Sequence, residues 1–324
     1  MKIDRSICAM LLAVTPFIGV AAHAQSWPVK PIRLVVPFPP GGGTDAIARE
    51  VAGRITANTK WAFVIENKPG SGGNIGVDFA AKAPADGYTF VIGQTSNLAI
   101  SPTLYSKLPY DPVKDLTPVV NIGSAPLAIV VAADSPYRSL ADVMAAAKAQ
   151  PGLINFASSG NGTVAHLTGE MLQKEAGVKF VHVPYKGAAQ GITDVIGGNV
   201  QLYLSSVPTL IGQIKTGKLR ALAVTSDKRV ADLPQVPTVA ESGYKGFDAS
   251  TWFGFLGPAN LPKDIAAALN TAANNAFRDE DLKKKLGEQG VFIAGGSPES
   301  FSKLIRDDLV KWGKVVKQSG AKVD

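Results

Sequence analysis

The segment PFPPGGGTD, residues 37–45, places three consecutive glycines, a threonine and an aspartate directly after an apolar run. Glycine removes side chains, so whatever approaches this stretch meets backbone N–H groups. If a helix starts here, its first N–H groups have no partner inside the helix and stand at the positive end of its dipole. Such an end binds anions, carboxylates among them. A tight turn with Thr44 or Asp45 as helix cap would use the same residues. No Gly-Lys-Ser/Thr follows, which excludes the phosphate loop of nucleotide hydrolases.

The pattern recurs at residues 158–167, SSGNGTVAHL, and at residues 185–192, YKGAAQGI. Each follows a strand-like run and opens a helix-like one. Gly160, Gly162 and Ala165 fit the loose G-x-G-x-x-G/A dinucleotide pattern, but the acid expected to hold a ribose is missing: Pro184, Tyr185 and Lys186 stand there instead. Catalytic groups are sparse. His166 falls within a predicted helix and His182 within a strand, with no metal-ligand spacing around either. No serine occupies a G-x-S-x-G elbow. Asp45 and Asp194 are too far apart in sequence to argue for a carboxylate pair. The residues therefore point to binding, with no metal, no cofactor and no enzymatic activity expected.

The elements that must position these loops follow from periodicity. IRLVVPF, AFVIEN and YTFVIG read as strands; between the first two, Ile47, Val51 and Ile55 recur at helical spacing. The alternation resumes with LINFASS, a helix carrying Val164, Leu167, Met171 and Leu172, then KFVHVPY, a helix carrying Ile192, Val195 and Ile196, and finally VQLYLSS and LRALAVTS. This βαβ order predicts parallel sheets covered by helices, with glycine-rich turns at the carboxyl ends of the strands. Residues 118–133 and 244–258 are apolar runs that break the rhythm, and read as crossovers between two lobes. A C-terminal helix carries Phe301, Leu304, Ile305, Leu309, Trp312 and Val316 at core spacing.

The N-terminus has Lys2 and Arg5, an apolar stretch over residues 7–22 and Ala22-His23-Ala24, the layout of a secretory signal peptide cleaved after Ala24. Its loss takes Lys2, Arg5 and Asp4, so the net charge falls from +7 to +6, and it takes Cys8, the chain's one cysteine. That excludes cysteine nucleophiles and disulfides. Lysines and arginines are scattered along the chain, and the run of residues 283–285 has acidic neighbours, so a solvated helix face rather than a nucleic-acid surface is expected.

PIRLVVPFPPGGGTDAIAR, ENKPGSGGNIG, KAPADGYTFVIG, LPYDPVKDLTPV, SSGNGTVAHL, VPYKGAAQGITDVIGGNV, TGKLRALAVTS and STWFGFLGP, in this order, resemble the Bug family of periplasmic receptors associated with tripartite tricarboxylate transporters. The resemblance implies an α/β, two-lobed periplasmic binding protein of the Venus-flytrap type, with mixed, mainly parallel sheets and two interlobe crossovers. The lobes would comprise residues 25–123 with 248–324, and residues 124–247. It implies a periplasmic, monomeric clamp for a small organic acid, handed to membrane permease subunits or, alternatively, reported to a sensor protein; an exported hydrolase is the remote alternative. Carried onto this chain, the ligand loops would be Phe38, Pro39, Gly42, Gly43, Thr44 and Asp45 with Ser96 and Asn97 in one lobe. The other would supply Ser158, Gly162, Thr163 and, near the same pocket, His166, then Lys186, Gly187 and Ala188. Ser205 stands where many relatives carry an acid, which favours dicarboxylic, aromatic or hydroxylated acids over amino acids.

Overall fold

A computed structural model describes residues 27–323. The expected leader, residues 1–24, lies outside them. The first lobe opens with β1 (Ile32–Val36), α1 (Gly43–Thr59), β2 (Phe63–Asn67), α2 (Asn74–Ala81) and β3 (Thr89–Gln94), then a π-helical turn (Ser96–Ile100) running into α3 (Ser101–Leu104). A single strand, β4 (Leu116–Ala132), leads to α4 (Leu140–Ala149), β5 (Asn155–Ser158), α5 (Val164–Ala176), β6 (Val181–Pro184), α6 (Ala188–Ile196), β7 (Leu202–Ser206), α7 (Val207–Lys215) and β8 (Leu219–Val224). The chain returns through β9 (Ser250–Pro258) and closes with α8 (Lys263–Ala276), α9 (Glu280–Gly287), β10 (Phe292–Ile293) and α10 (Pro298–Ser319).

Both long apolar runs are strands that belong to two sheets or connect them. Up to Pro126, β4 pairs with β9; from Leu127 it pairs with β7 and β8. β9 starts beside that switch, Ser250 opposite Pro126. The sheets are therefore mixed rather than mainly parallel. Between the named strands, parallel pairing is confined to β2-β1-β3 and β6-β5-β7, where helices provide the return, and every pairing of β4 and β9 is antiparallel. A strand that crosses between lobes and one that comes back must run against each other.

Helices cover the sheets through apolar stripes. α1 buries Ile47, Val51 and Ile55 as its periodicity predicts, with Ala48 and Ala52 between them. α10 buries Phe301, Ile305, Trp312 and Val316 and packs against the π-helical turn, β4 and α5. The largest core cluster consequently joins Val35 and Val91 of the first sheet to Phe156 and Leu202 of the second. No described helix is long and apolar enough to cross a membrane.

Strand order decides where the loops converge. In β2-β1-β3 the chain leaves β1 first to one side and then to the other; β6-β5-β7 repeats this around β5. Each reversal opens a crevice at the carboxyl ends of its strands, the position at which open α/β sheets bind ligands. The loops after β1, β3, β5 and β7 border the two crevices.

Candidate functional site

The crevices face each other and enclose a cavity of about 640 Å³. The N-termini of four helices, α1, α5, α6 and α7, reach its lining through Gly43, Val164, Ala188 and Ser206. Only α5 has a side-chain cap, Thr163 Oγ1 accepting from the His166 N–H at 3.3 Å. At α1 and α6 the N-caps are glycines, Gly42 and Gly187, and at α7 Ser206 makes no capping bond. The next amides of α1, those of Thr44 and Asp45, have no acceptor among the described residues. Among the described residues the lining carries two lysines, Lys186 and Lys218, and no carboxylate. An anion entering this space meets dipole ends, unpaired N–H groups and positive charge.

The lobes touch around the cavity. The Gly43 N–H of α1 donates to Thr209 Oγ1 of α7 at 3.2 Å, and the Val164 N–H of α5 donates to Ser96 Oγ at 3.2 Å. Each lobe thus offers one helix amide and one hydroxyl to the other. Gly187 abuts Pro39 so closely that a Cβ there would sit 2.7 Å from Pro39 Cγ. The conformation is closed.

Of the residues expected from sequence, Phe38, Pro39, Gly42, Gly43, Thr44, Ser96, Thr163, Lys186, Gly187, Ala188 and Ser205 line the cavity. Thr44 Oγ1 donates to Gln94 Oε1 at 3.1 Å, which ties the α1 start to the end of β3. The others stand behind the wall. Asp45 is 3% exposed; its carboxylate accepts from the Gly41 N–H, from Arg49 Nε and Nη2 and from Asn67 Nδ2 at 2.9–3.0 Å. Burial raises its pKa, but the hydrogen bonds from Arg49, Asn67 and Gly41 outweigh this and hold it below the ordinary carboxylate value. Asn97 Oδ1 accepts the Gln94 N–H at 3.0 Å. Gly162 packs against Leu104 and Tyr105 and donates its N–H to His166 Nδ1 at 3.2 Å.

His166 lies flat on His182, ring centroids 4.1 Å apart and planes 9° from parallel, with Phe156 stacked on the far side of His182. Burial lowers His166 to about 4; burial, with the neighbouring His166, lowers His182 to about 3. His182 Nε2 and Ser158 Oγ are 2.7 Å apart, the spacing of a nucleophile and its base. Ser158 is fully buried, however, and its hydroxyl also bonds the Gly160 backbone, so the pair braces the loop after β5 without touching the cavity. Asp194 accepts from Tyr185 Oη at 2.6 Å and braces the loop before α6. No group of metal-ligating residues occurs among the described residues.

Sequence reasoning passed over Gln94, Ser206, Thr209 and Thr251, which also line the cavity. Ser206 and Thr209 follow VQLYLS without a glycine, so nothing marked them locally. The signal that would have found them is topological: β7 flanks β5, and its following turn must border the same crevice.

The model of the tripartite tricarboxylate transporter family receptor matches residues 47–321. Protein BugT of Bordetella pertussis is 36% identical over 308 residues, 94% of each chain. Among solved structures, Rpa4515 of R. palustris with adipate superposes with a TM-score of 0.89 at 36% identity, covering 92% of this chain and 100% of that one. MatC of Rhodopseudomonas palustris with bound malate gives 0.84 at 27% identity, with 90% and 100% covered.

Proposed function

Because the chain belongs to the tripartite tricarboxylate transporter receptor family, whose members bind solutes, we propose that it is an exported receptor that closes on a small organic acid and hands it to a membrane permease. The observation that carries the carboxylate reading is the meeting of four helix N-termini, three without side-chain caps, on a cavity whose lining has no acid. The carboxylate would be held by the amides of the first turn of α1 and by hydroxyls of both lobes. Closure would strip it of water, which strengthens each of those bonds, and binding would stabilise the closed state by as much as it favours that state over the open one. The bonds belong to the fold, so they select the acid group and leave the rest of the ligand to the cavity's shape.

Adipate and malate, seen in two relatives, are the first ligands to test. The cavity has no counter-charge for an amino group, and Ser205 keeps that position neutral, so dicarboxylates are favoured over amino acids. The experiment is a melting screen of refolded protein against mono-, di- and tricarboxylates, aromatic acids, amino acids and their neutral amides. At a hundred times its dissociation constant a ligand adds about 2.7 kcal/mol to the folded state. An acid that raises Tm while its amide does not supports the reading; neutral solutes acting alone would overturn it.

A further inference from the structure

Thr209 occupies an unusual position in the closed molecule. It lies in the first turn of α7, on the cavity wall, and its Oγ1 accepts the Gly43 N–H from the opposite lobe. A Cβ on residue 43 would lie 2.7 Å from that oxygen and 3.1 Å from both Pro208 Cβ and the Thr209 nitrogen, so the approach of α7 depends on glycine. The expectation that the Gly43 amide is open to ligand is thereby changed: in the closed form a hydroxyl covers it. A hydroxyl has one proton and two acceptor positions. With one acceptor position taken by Gly43, Thr209 still has its proton to give; Ser206 Oγ lies 3.0 Å away, and either hydroxyl of that pair can be the donor. A carboxylate in the cavity is the stronger acceptor, since hydrogen bonds to a charged group are shorter and about twice as strong.

We propose that Thr209 couples closure to capture, its Oγ1 holding the Gly43 amide across the cleft and its own proton donated to an acid oxygen of the ligand. The cleft closes on a hydroxyl that is already polarised by a helix amide, and the ligand completes a chain from the α1 dipole through Thr209 to the carboxylate. The second half of this proposal rests on the carboxylate reading above; the first half does not. Thr209 is a positioning residue toward the lobes and a direct contact toward the ligand.

The test uses two spin labels at Ala145→Cys on α4 and Ala267→Cys on α8, both exposed and in opposite lobes; the chain without its leader has no other cysteine. Ligand-free protein should populate the short interlobe distance of the closed form. Thr209→Val, which keeps the shape and loses the hydroxyl, should lengthen and broaden it, while Thr209→Ser should match the parent. Gly43→Ala attacks the same contact from the other lobe and should lengthen the distance too. An unchanged distance in Thr209→Val, or a Thr209→Ser that behaves like Thr209→Val, overturns the latch. With adipate as the probe, Thr209→Val should bind at least about tenfold more weakly, the loss of one hydrogen bond to a charged group, and Thr209→Ser should not. Equal affinity in parent and Thr209→Val overturns the ligand contact. Failure of every acid to bind the parent would count against the carboxylate reading alone, because the ligand-free distances are read without it.

Discussion

Asp45 directs its carboxylate at donors of the protein: Gly41 in the turn, Arg49 on α1 and Asn67 at the end of β2 hold it, and Asn67 also donates to the Phe38 carbonyl at 2.9 Å. It is the clamp that keeps the three-glycine turn in one shape, so Asp45→Ala should cost about 1–3 kcal/mol in a denaturant titration and weaken acid binding as well. Its carboxyl is held below the ordinary value, so its contribution is complete above the unfolded value of about 4 and is lost as pH falls through the lower folded one. The stacked histidines act in an earlier window. Their folded pKa values, about 4 and about 3, lie below the ordinary imidazole value of about 6.5, so between these limits the unfolded chain binds more protons and stability falls with pH. The slope should reach about 1.4 kcal/mol per pH unit for each ring. Melting at pH 7, 6, 5 and 4.5 should show this acid limb, and His166→Asn, whose Oδ1 can still accept the Gly162 amide, should remove about half of it. A flat profile from pH 7 to 4.5 would show that the pair is not held neutral.

Gly187 shows how an element's end controls the cleft. Its φ of +123° suits glycine alone, and any Cβ would press on Pro39 of the other lobe. Gly187→Ala should therefore disfavour closure and reduce acid affinity about tenfold or more by calorimetry, with a smaller effect on the melting of ligand-free protein; unchanged affinity would show that Pro39 yields. At this scale the sequence was most readable. β-branched runs, helical spacing in α1 and α10, and glycine turns after β1, β5 and β6 located the elements and most of the wall. Asp45 and His166 were legible as polar groups near the turns, but not their direction, because whether a side chain faces ligand or backbone depends on partners such as Arg49, Asn67 and His182 that only the fold brings near. Thr209 was hidden for the opposite reason: its role depends on Gly43, distant in sequence and on the other lobe.

Two sets of contacts join the lobes. β4 and β9 connect the two sheets and α10 packs on elements of both lobes, and the Gly43–Thr209 and Ser96–Val164 bonds and the Pro39–Gly187 contact tie the loops around the cavity. Removing both hydroxyls, Ser96→Ala with Thr209→Val, should enlarge the radius of gyration of ligand-free protein in solution scattering, and a ligand that binds both lobes should restore it. If the double variant scatters like the parent, closure is set by the crossovers and α10 instead. The central claim is that helix N-termini from both lobes hold a carboxylate, and the measurement that reads it most directly is a crystal structure with the acid that raises Tm most. Carboxylate oxygens should lie within about 3 Å of the Thr44 amide and of the Thr209 hydroxyl, with no cation between. A carboxylate bound near Lys218 instead, with the Thr44 amide left to water, would contradict this.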